Sequence, residues 1–384
     1  MRKMSIKEAF GVMVDPRINR RRQHNLIDII VLAICGTVSG CQGWVEIVDF
    51  AETREEWFRK FLELPNGIPS HDTMGRVFSI LDPQAFQDAF FNWLNGIRDI
   101  LVSQQICIDG KFLKGALRET RRPRSAIQLV SAWSTEFGIC IAQKKSILEK
   151  EEGEKRIMEQ LIKTLHLKGC IVSIDANGAT ERITNSIVEQ NGDYLIGLKN
   201  NQTGMLKYAE VAFDSDLPIS KFETTEKEHG RIDERKYELV KVHGECMPGM
   251  IQCWQRYIQK FKELKAFVRV QTTRTIGSES KTETRYYFTS LTEVRTGAKA
   301  IRDHWAIENK LHRTLDVNFG EDHSQIRAGH AAENLGLIRR MAINMLKQET
   351  SSKKSIRRKQ MACMSMPEYL EKVLGANLKT ASEF

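Results

Sequence analysis

The sequence predicts an α/β protein in which a mixed sheet is flanked by helices, preceded by a helical domain and interrupted by a β-rich insertion. Three observations predict this fold class. Apolar residues recur at helical spacing over much of the first 98 residues. From about residue 100, short apolar runs and amphipathic helical segments follow one another. Residues 201–284 are instead polar, with alternating Glu, Lys and Thr.

The first 98 residues are predicted to form a helical DNA-binding domain. Residues 26–38 have the apolar period of a buried helix, and the run is shorter than the ~20 residues that a membrane span needs. Ser70 can cap a helix over residues 71–81. Four arginines lie within residues 17–22. They could form a solvated basic face, but beside a small helical domain they favour contacts with DNA phosphates.

The order of elements after residue 100 predicts the topology of the core. Strand patterns cover residues 105–109, 126–134, 138–143, 169–175 and 193–199, with helical patterns at 151–165 and 179–190. This order is that of a ribonuclease-H-like fold. A strand at 285–291 and helices at 296–315 and 331–347 would complete it. We therefore predict core segments at 99–200 and 285–350, an insertion at 201–284 and a basic C-terminal tail at 351–384.

Two of the predicted strands end in the same dipeptide, at Ile108-Asp109 and Ile174-Asp175. A carboxylate at the end of an apolar strand lies at the carboxyl edge of the sheet, where ligands collect in α/β proteins. A single acid at this position is more often a turn or capping residue. Two acids on neighbouring strands would repel each other unless a cation lay between them, and Mg²⁺ prefers such oxygen ligands.

Composition and charge are consistent with an intracellular nucleic-acid-binding protein. Lys and Arg number 58 against 49 Asp and Glu, a formal net charge of +9, which favours polyanionic partners. The eight cysteines include no C-x-x-C pair and several lie in apolar runs, so we expect reduced core thiols. No signal-like segment follows the N-terminus, and we expect a cytoplasmic, nucleoid-associated protein.

The chain resembles the H-repeat-associated insertion-sequence transposases, which belong to the DDE superfamily. The resemblance runs in order along nearly the whole chain. The segments that carry it include residues 27–50, 67–73, 108–115, 173–178, 192–202, 229–231, 285–287, 301–309 and 331–334. It implies a ribonuclease-H-like core with an inserted β subdomain, and an enzyme that cuts and joins DNA.

The resemblance also implies a catalytic and metal-binding triad of Asp109, Asp175 and Glu308, holding two Mg²⁺ or Mn²⁺ ions. Where related transposases carry Tyr, Arg and Lys around the third acid, this chain has Ile301, His304 and Leu315. Glu321 and Glu333 are the alternatives for the third acid. His304, Glu308 and His312 share one helical face, which could also bind zinc, but the resemblance favours Mg²⁺ or Mn²⁺.

Further residues are predicted to bind DNA. Lys111 and Lys114 follow the first acid, and arginines crowd the loop at 118–124. The Gly after His229 permits a tight turn, and Arg231 could clamp a phosphate. Trp254 could stack on an extruded base, although a tryptophan is more often a core residue. The predicted DNA-binding residues are Lys111, Lys114, Arg121, Arg122, Arg124, His229, Arg231, Trp254, His304, Trp305 and His312.

Three functions compete on these observations. The first is an active transposase that binds the terminal inverted repeats of its element as a homodimer, cuts there and joins the ends to target DNA. The second is a catalytically inactive, DNA-binding relic, and the third is a nuclease without end specificity. The presence of all three acids disfavours the second, and the helical domain and the large insertion disfavour the third.

Overall fold

The protein is described here by a computed structural model over residues 4–98, 103–113, 127–147, 152–215, 218–228, 230–242 and 259–378. The chain divides into two compact units. The first comprises Met1–Ile100, Gly110–Glu154 and Glu308–Phe384, and the second comprises Leu101–Asp109 and Lys155–Ile307. Each unit is therefore assembled from segments that are distant in the sequence.

Regular elements follow one another along the described ranges. The strands are β1 Gln105–Phe112, β2 Ile127–Ser134, β3 Ile139–Ile147, β4 Ile171–Ile174, β5 Asp193–Leu198, β6 Ile219–Glu228, β7 Arg231–Lys241, β8 Ala266–Ile276 and β9 Glu279–Thr289. The helices are α1 Ile6–Gly11, α2 Leu26–Val38, α3 Trp44–Glu52, α4 Glu55–Phe58, α5 His71–Ile80, α6 Pro83–Arg98, α7 Glu152–Thr164, α8 Glu181–Val188, α9 Thr203–Phe213, α10 Val294–Ala306, α11 Arg313–Phe319, α12 Ala331–Gln348, α13 Ile356–Ser365 and α14 Pro367–Leu378. A 3₁₀ turn spans Ala176–Gly178, and a π-helical segment spans Ile307–His312.

The first unit is mostly helical, and its centre is α12. This helix packs on α2, α5 and β3, and it is buried along nearly its whole length. Helix α2 is also buried along nearly its whole length, as its continuous apolar sequence predicts. The predicted cap of α5 is present, because the Ser70 side chain accepts a hydrogen bond from the Thr73 N–H at 3.3 Å. In this unit β2 lies between β3 and the end of β1.

The second unit contains the longer part of the sheet, with the strand order β1-β4-β5-β9-β8-β7-β6. Strand β4 pairs in parallel with both β1 and β5, whereas the pairs from β5/β9 to β7/β6 are antiparallel. Helix α10 packs against β4 and the β6–β7 pair. These parallel and antiparallel pairs and their flanking helices confirm the predicted α/β class with a mixed sheet.

The region predicted as an insertion continues the sheet instead of standing apart from it within this unit. It begins with a helix, α9, which the polar composition did not predict. Its last strand is β9, whose 11 residues run past the predicted boundary at residue 285 to Thr289. One strand thus pairs with β5 at its end and with β8 along its length. The sequence pattern separated these two parts because only the second is apolar.

The C-terminal region is helical where it is described, although the sequence predicted only a basic tail. Helices α13 and α14 occupy most of residues 356–378. Lys359 in the basic run is buried and donates to the Leu346 carbonyl at 2.8 Å, so part of this run is internal. Within the described ranges, no helix is long and apolar enough to cross a membrane, and six cysteines are buried free thiols.

Candidate active site

Two aspartates lie side by side on the neighbouring parallel strands β1 and β4. Asp175 directly follows β4, but Asp109 lies within β1, which continues to Phe112 and does not end at the acid as the sequence predicted. The register of β1 and β4 aligns Ile108 with Ile174, so the next residues, Asp109 and Asp175, occupy adjacent positions. Adjacent strands are about 4.8 Å apart. Side chains alternate between the two faces along a strand. Cys107 lies two positions before Asp109, Ser173 lies two positions before Asp175, and these two side chains contact each other. Both carboxylates therefore belong to the same face of the sheet.

The surroundings of Asp175 make its carboxylate a candidate cation ligand. Burial raises its pKa, and this effect is partly offset by the backbone N–H groups of Asn177 and Gly178 and by the charge of Lys199. Its Oδ1 accepts from the Asn177 N–H at 3.1 Å, which also caps the 3₁₀ turn. A half-buried carboxylate beside a second one gains stability from a bound cation, because the cation removes both desolvation and repulsion costs.

The turn after Asp175 is held by close packing. A Cβ at Gly178 would lie 2.3 Å from Ile174 Cγ2, so this position requires glycine. Asn201 donates its amide to the Ala176 carbonyl at 2.8 Å. These contacts link segments 173–178 and 192–202, and they fix the backbone that carries the carboxylate. Both segments carry the family resemblance, but Asn201 was not among the predicted functional residues.

Glu308 lies in the π-helical segment and its side chain is exposed. It belongs to the first unit, whereas the aspartate pair belongs to the second. Single π turns in helices occur frequently at functional sites. Of the alternative acids, Glu321 is fully buried and paired with Arg340 at 3.0 Å. The other, Glu333, is half-buried, and burial raises its pKa.

Within the described ranges, no group of three or more His, Cys, Asp or Glu side chains is gathered closely enough to hold a metal ion. The oxygen-ligand pair formed by Asp109 and Asp175 is the feature that fits a hard divalent cation. Carboxylates are the ligands that Mg²⁺ uses in proteins, and it keeps several water ligands besides them. The pair therefore fits Mg²⁺ or Mn²⁺ as a partial ligand set.

The two histidines predicted to bind DNA have their rings inside the protein. His304 Nδ1 lies 3.0 Å from Ser173 Oγ, and burial lowers its pKa to about 4 against the hydrogen bond to Ser173. Burial, together with the positive charges of Arg340 and Lys111, lowers the pKa of His312 to about 3. Both rings are neutral at physiological pH, so neither offers a positive charge to a phosphate.

Lys111 is also internal, although its position after the first acid predicted a phosphate contact. Its side chain is 8% exposed, and its ammonium group forms ion pairs with Asp316 at 2.6 Å and Asp322 at 2.5 Å. Glu321 lies 4.0 Å away. Three carboxylates surround this lysine, and the arrangement makes it a structural residue of the first unit. The signal was ambiguous because a strand residue can face either side of the sheet.

An arginine cluster lies on one face of the second unit. Arg231, Arg235 and Arg274 surround the buried carboxylate of Asp233, with nitrogen–oxygen distances of 3.6, 3.1 and 2.7 Å. Asp233 is 2% exposed in its side chain, whereas Arg231 and Arg274 are 39% and 48% exposed. The Asp233 carboxylate is therefore hidden, and Arg231 and Arg274 are presented to solvent, whereas Arg235 is 11% exposed. Arg231 had been predicted to bind DNA; the other two arginines had not.

The remaining predicted DNA-binding residues fall into two groups. Trp305 is half-buried, with the Arg285 guanidinium 4.6 Å from its ring centroid, so its exposed part is limited by this stacking. The others lie outside the described residues, namely Lys114, Arg121, Arg122, Arg124, His229 and Trp254.

Comparison with known proteins identifies the family. Residues 7–94 match the family model described as DDE_Tnp_1-associated, and residues 101–345 match the one described as Transposase DDE domain. The chain is 34% identical over 381 residues to "H repeat-associated putative transposase YhhI" of Escherichia coli strain K12, an alignment that covers 97% of this chain and 98% of that protein. It is 33% identical over 381 residues to "Putative transposase YncI" of Escherichia coli O157:H7, covering 97% and 95%.

A solved structure of a piggyBac transposase synaptic complex with hairpin DNA aligns with 98% of this chain and 79% of that chain, at 9% identity and a TM-score of 0.41. At this identity and TM-score, the alignment establishes neither the fold nor the site. The sequence relatives and the domain match extend over most of the chain, and they establish the family. The chain belongs to the DDE transposase family and is related to the H-repeat-associated insertion-sequence transposases.

Proposed function

We propose that this protein binds the terminal inverted repeats of an insertion sequence, cuts the DNA at those ends and joins the 3′-hydroxyls to a target. The observation that carries the proposal is the pair Asp109 and Asp175, side by side where the pairing of β1 with β4 ends, in a chain of the DDE transposase family. Phosphodiester chemistry of this kind requires a hard cation beside the scissile phosphate, and the pair supplies oxygen ligands for it.

Asp109, Asp175 and Glu308 would hold two Mg²⁺ or Mn²⁺ ions. Bound there, such ions supply activation of the attacking oxygen and stabilisation of the leaving oxygen. The raised pKa of Asp175 supports the assignment, because its partly desolvated carboxylate is stabilised by a cation. Glu308 is the proposed third acid because its side chain is exposed, whereas the Glu321 side chain is fully buried against Arg340.

The arginine cluster around Asp233 is proposed to hold the DNA backbone. Arg231 and Arg274 present guanidinium groups that match phosphate oxygens in charge and geometry. Asp233 orients them from below, and its hydrogen bonds with Arg274 at 2.7 and 3.2 Å fix the side chain before any DNA arrives. Such preorganisation lowers the entropic cost of each phosphate contact.

The test is a cleavage assay with the purified chain and a duplex that carries the terminal repeat of its own element, in Mg²⁺. We expect cuts at the repeat boundary that disappear in Asp109→Asn and in Asp175→Asn, with DNA binding retained. The matched control is Asp214→Asn, which changes an exposed aspartate of the same unit and should cut normally. Specific binding without cleavage in either Mg²⁺ or Mn²⁺ would favour the inactive DNA-binding protein.

The third acid is tested in the same assay. We expect Glu308→Gln to abolish cleavage, because it removes the proposed third metal ligand. End binding should persist, because the side chain is exposed and its change leaves the core intact. Glu333→Gln serves as the comparison, since Glu333 is one of the two alternatives. Full cleavage by Glu308→Gln would show that another residue is the third acid.

A further inference from the structure

We propose that His304 is a positioning residue, which fixes helix α10 against β1 and β4, the two strands that carry Asp109 and precede Asp175. It acts through a partly buried chain of hydrogen bonds that leaves α10, passes through β4 and β1, and returns to α10. The inference rests on the proposed function insofar as the aspartates are the cation-binding pair. All of the residues in this chain of hydrogen bonds belong to the second unit.

The contacts follow one another without a break. His304 Nδ1 lies 3.0 Å from Ser173 Oγ. The Ser173 hydroxyl donates to Cys107 Sγ at 3.3 Å, and the Cys107 thiol donates to the Asp303 carbonyl at 3.6 Å. His304 and Asp303 are neighbours on α10, so the chain of hydrogen bonds closes on the helix from which it starts.

Gln105 provides a second tie between the same elements. Its Nε2 donates to Ser173 Oγ at 3.0 Å and to the Ala300 carbonyl at 2.7 Å. Ala300 lies one helical turn before His304 on α10. Helix α10 is therefore attached to β1 and β4 at two successive turns, through hydrogen bonds that are shielded from water.

The His304–Ser173 hydrogen bond can form with either neutral tautomer of His304. A serine hydroxyl has one proton and two acceptor lone pairs. With the Ser173 proton directed to Cys107, the lone pairs accept from Gln105 and from the Nδ1–H tautomer of His304. With the Ser173 proton directed to His304, Nδ1 accepts it, and the same two atoms remain hydrogen-bonded. The Cys107 thiol donates its proton to the Asp303 carbonyl.

The position of this hydrogen-bond chain explains what it can control. Cys107 and Ser173 are direct cross-strand partners. Asp109 and Asp175 lie two residues further along the same strands and on the same face. A shift of α10 relative to β1 and β4 would therefore move the backbone directly below both carboxylates. Residues that support metal ligands in this way typically change metal affinity by about 10–100-fold when they are removed.

The experiment measures Mn²⁺ binding by the full chain through the electron paramagnetic resonance signal of free Mn²⁺, and DNA binding in parallel. Ser173→Ala and His304→Phe should each weaken Mn²⁺ binding by about tenfold or more. The double variant should be no weaker than Ser173→Ala alone, because the His304–Ser173 hydrogen bond that His304→Phe removes is already absent in Ser173→Ala. His166→Phe, which changes an exposed histidine of the same unit, should bind Mn²⁺ normally.

A pair of conservative variants separates positioning through Nδ1 from a role of Nε2. The amide of Asn reaches the place of Nδ1, and the longer amide of Gln reaches the place of Nε2. We expect His304→Asn to restore most of the Mn²⁺ affinity and His304→Gln to restore little. Rescue by Gln alone, additive losses in the double variant, or lost DNA binding with unchanged Mn²⁺ binding would overturn the proposal. Thermal unfolding midpoints identify any variant that fails to fold. If His304→Phe fails to fold, the Mn²⁺ affinities of the smaller changes Ser173→Ala and His304→Asn test the proposal.

Failure of the proposed function is recognised separately. If the wild-type chain binds Mn²⁺ no better than Asp109→Asn does, the aspartate pair is not a metal site. The hydrogen-bond chain is then tested by ¹⁵N NMR of the His304 ring. A neutral ring that keeps one fixed tautomer from pH 5 to 8 supports the chain of hydrogen bonds, whereas a ring that exchanges between its two neutral tautomers contradicts it.

Discussion

Glu321 is a buried acid whose role follows from its partners. Its side chain is fully buried, and it accepts a hydrogen bond from Arg340 at 3.0 Å. Arg340 is itself fully buried, and it also donates to Ser131 Oγ at 3.0 Å and to the Gly336 carbonyl at 2.9 Å. Each charge compensates for the desolvation of the other, so removal of one partner leaves an uncompensated charge in the core.

Arg340→Met should destabilise the protein by about 3–5 kcal/mol, because the buried Glu321 carboxylate would lose its partner at 3.0 Å and keep only Lys111 and Arg339, each 4.0 Å away. Urea-induced unfolding measures the change. The matched control is Arg59→Met, which removes an exposed ion pair with Glu55 at 2.6 Å and should cost at most about 1 kcal/mol. Equal losses in the two variants would show that burial does not set the energy of the Arg340 pair.

Glu349 provides a pH-dependent contribution to stability. Burial raises its pKa, but hydrogen bonds from Ser351 and Tyr369, and the nearby charge of Lys359, lower it to about 2 in total. The folded pKa lies below the ordinary value of 4.5. Ionised Glu349 therefore stabilises the folded state above about pH 4.5, and this stabilisation is lost as the pH falls towards 2.

Glu349→Gln should therefore be less stable than the wild type at pH 7, with a difference that shrinks between pH 4.5 and pH 2. Urea unfolding of both proteins at a series of pH values provides the comparison. Glu52→Gln, which changes an exposed acid, should show no such trend. A difference that stays constant down to pH 3 would mean that the carboxylate is not ionised in these contacts.

At the scale of elements, the β7–β8 pair builds a charged surface from a cross-strand row. The register places Glu226 of β6, Asp233 of β7 and Arg274 of β8 side by side. Arg302 of α10 reaches the same row and pairs with Glu226 at 2.9 Å. Four guanidinium groups thus contact two carboxylates, so the acids neutralise only part of the positive charge of the arginine cluster.

Arg274→Gln should weaken DNA binding and reduce its salt dependence, because one phosphate contact would be lost. Each such contact contributes about 0.9 to the slope of the logarithm of affinity against the logarithm of salt concentration. Fluorescence anisotropy with a labelled duplex measures this slope when the salt concentration is varied from about 50 to about 200 mM. Lys168→Gln is the control at an exposed cation of the same unit, in the segment before β4. An unchanged slope would exclude Arg274 from the DNA-binding surface.

At the scale of the whole molecule, the proposed reaction requires two DNA ends to be held together. A single chain offers one pair of strand-end aspartates, and we expect one such pair to act at each end. Light scattering of the chain mixed with terminal-repeat duplex should therefore give a complex that contains two chains and two duplexes. A complex with one chain and one duplex under cleaving conditions would contradict the expected homodimer.

The sequence alone determined the family, the order of strands and helices from residue 105 to 198, and the apolar runs that lead into Asp109 and Asp175. These features are local, because the period of apolar residues distinguishes strand from helix without long-range information. The predicted end of the first strand at Asp109 was wrong, since β1 continues to Phe112. The adjacency of Asp109 and Asp175 also followed, because the predicted topology makes their strands neighbours.

Only the tertiary structure decided which polar side chains face inward. Lys111 pairs with an acid 211 residues away, and His304 bonds to a serine 131 residues away. No local pattern encodes such contacts, so these two residues carried the same sequence signal as surface cations. The π-helical segment at Ile307–His312 and the run of β9 past residue 285 were decided in the same way. Both depend on packing between distant segments, which overrides the local preference of the chain.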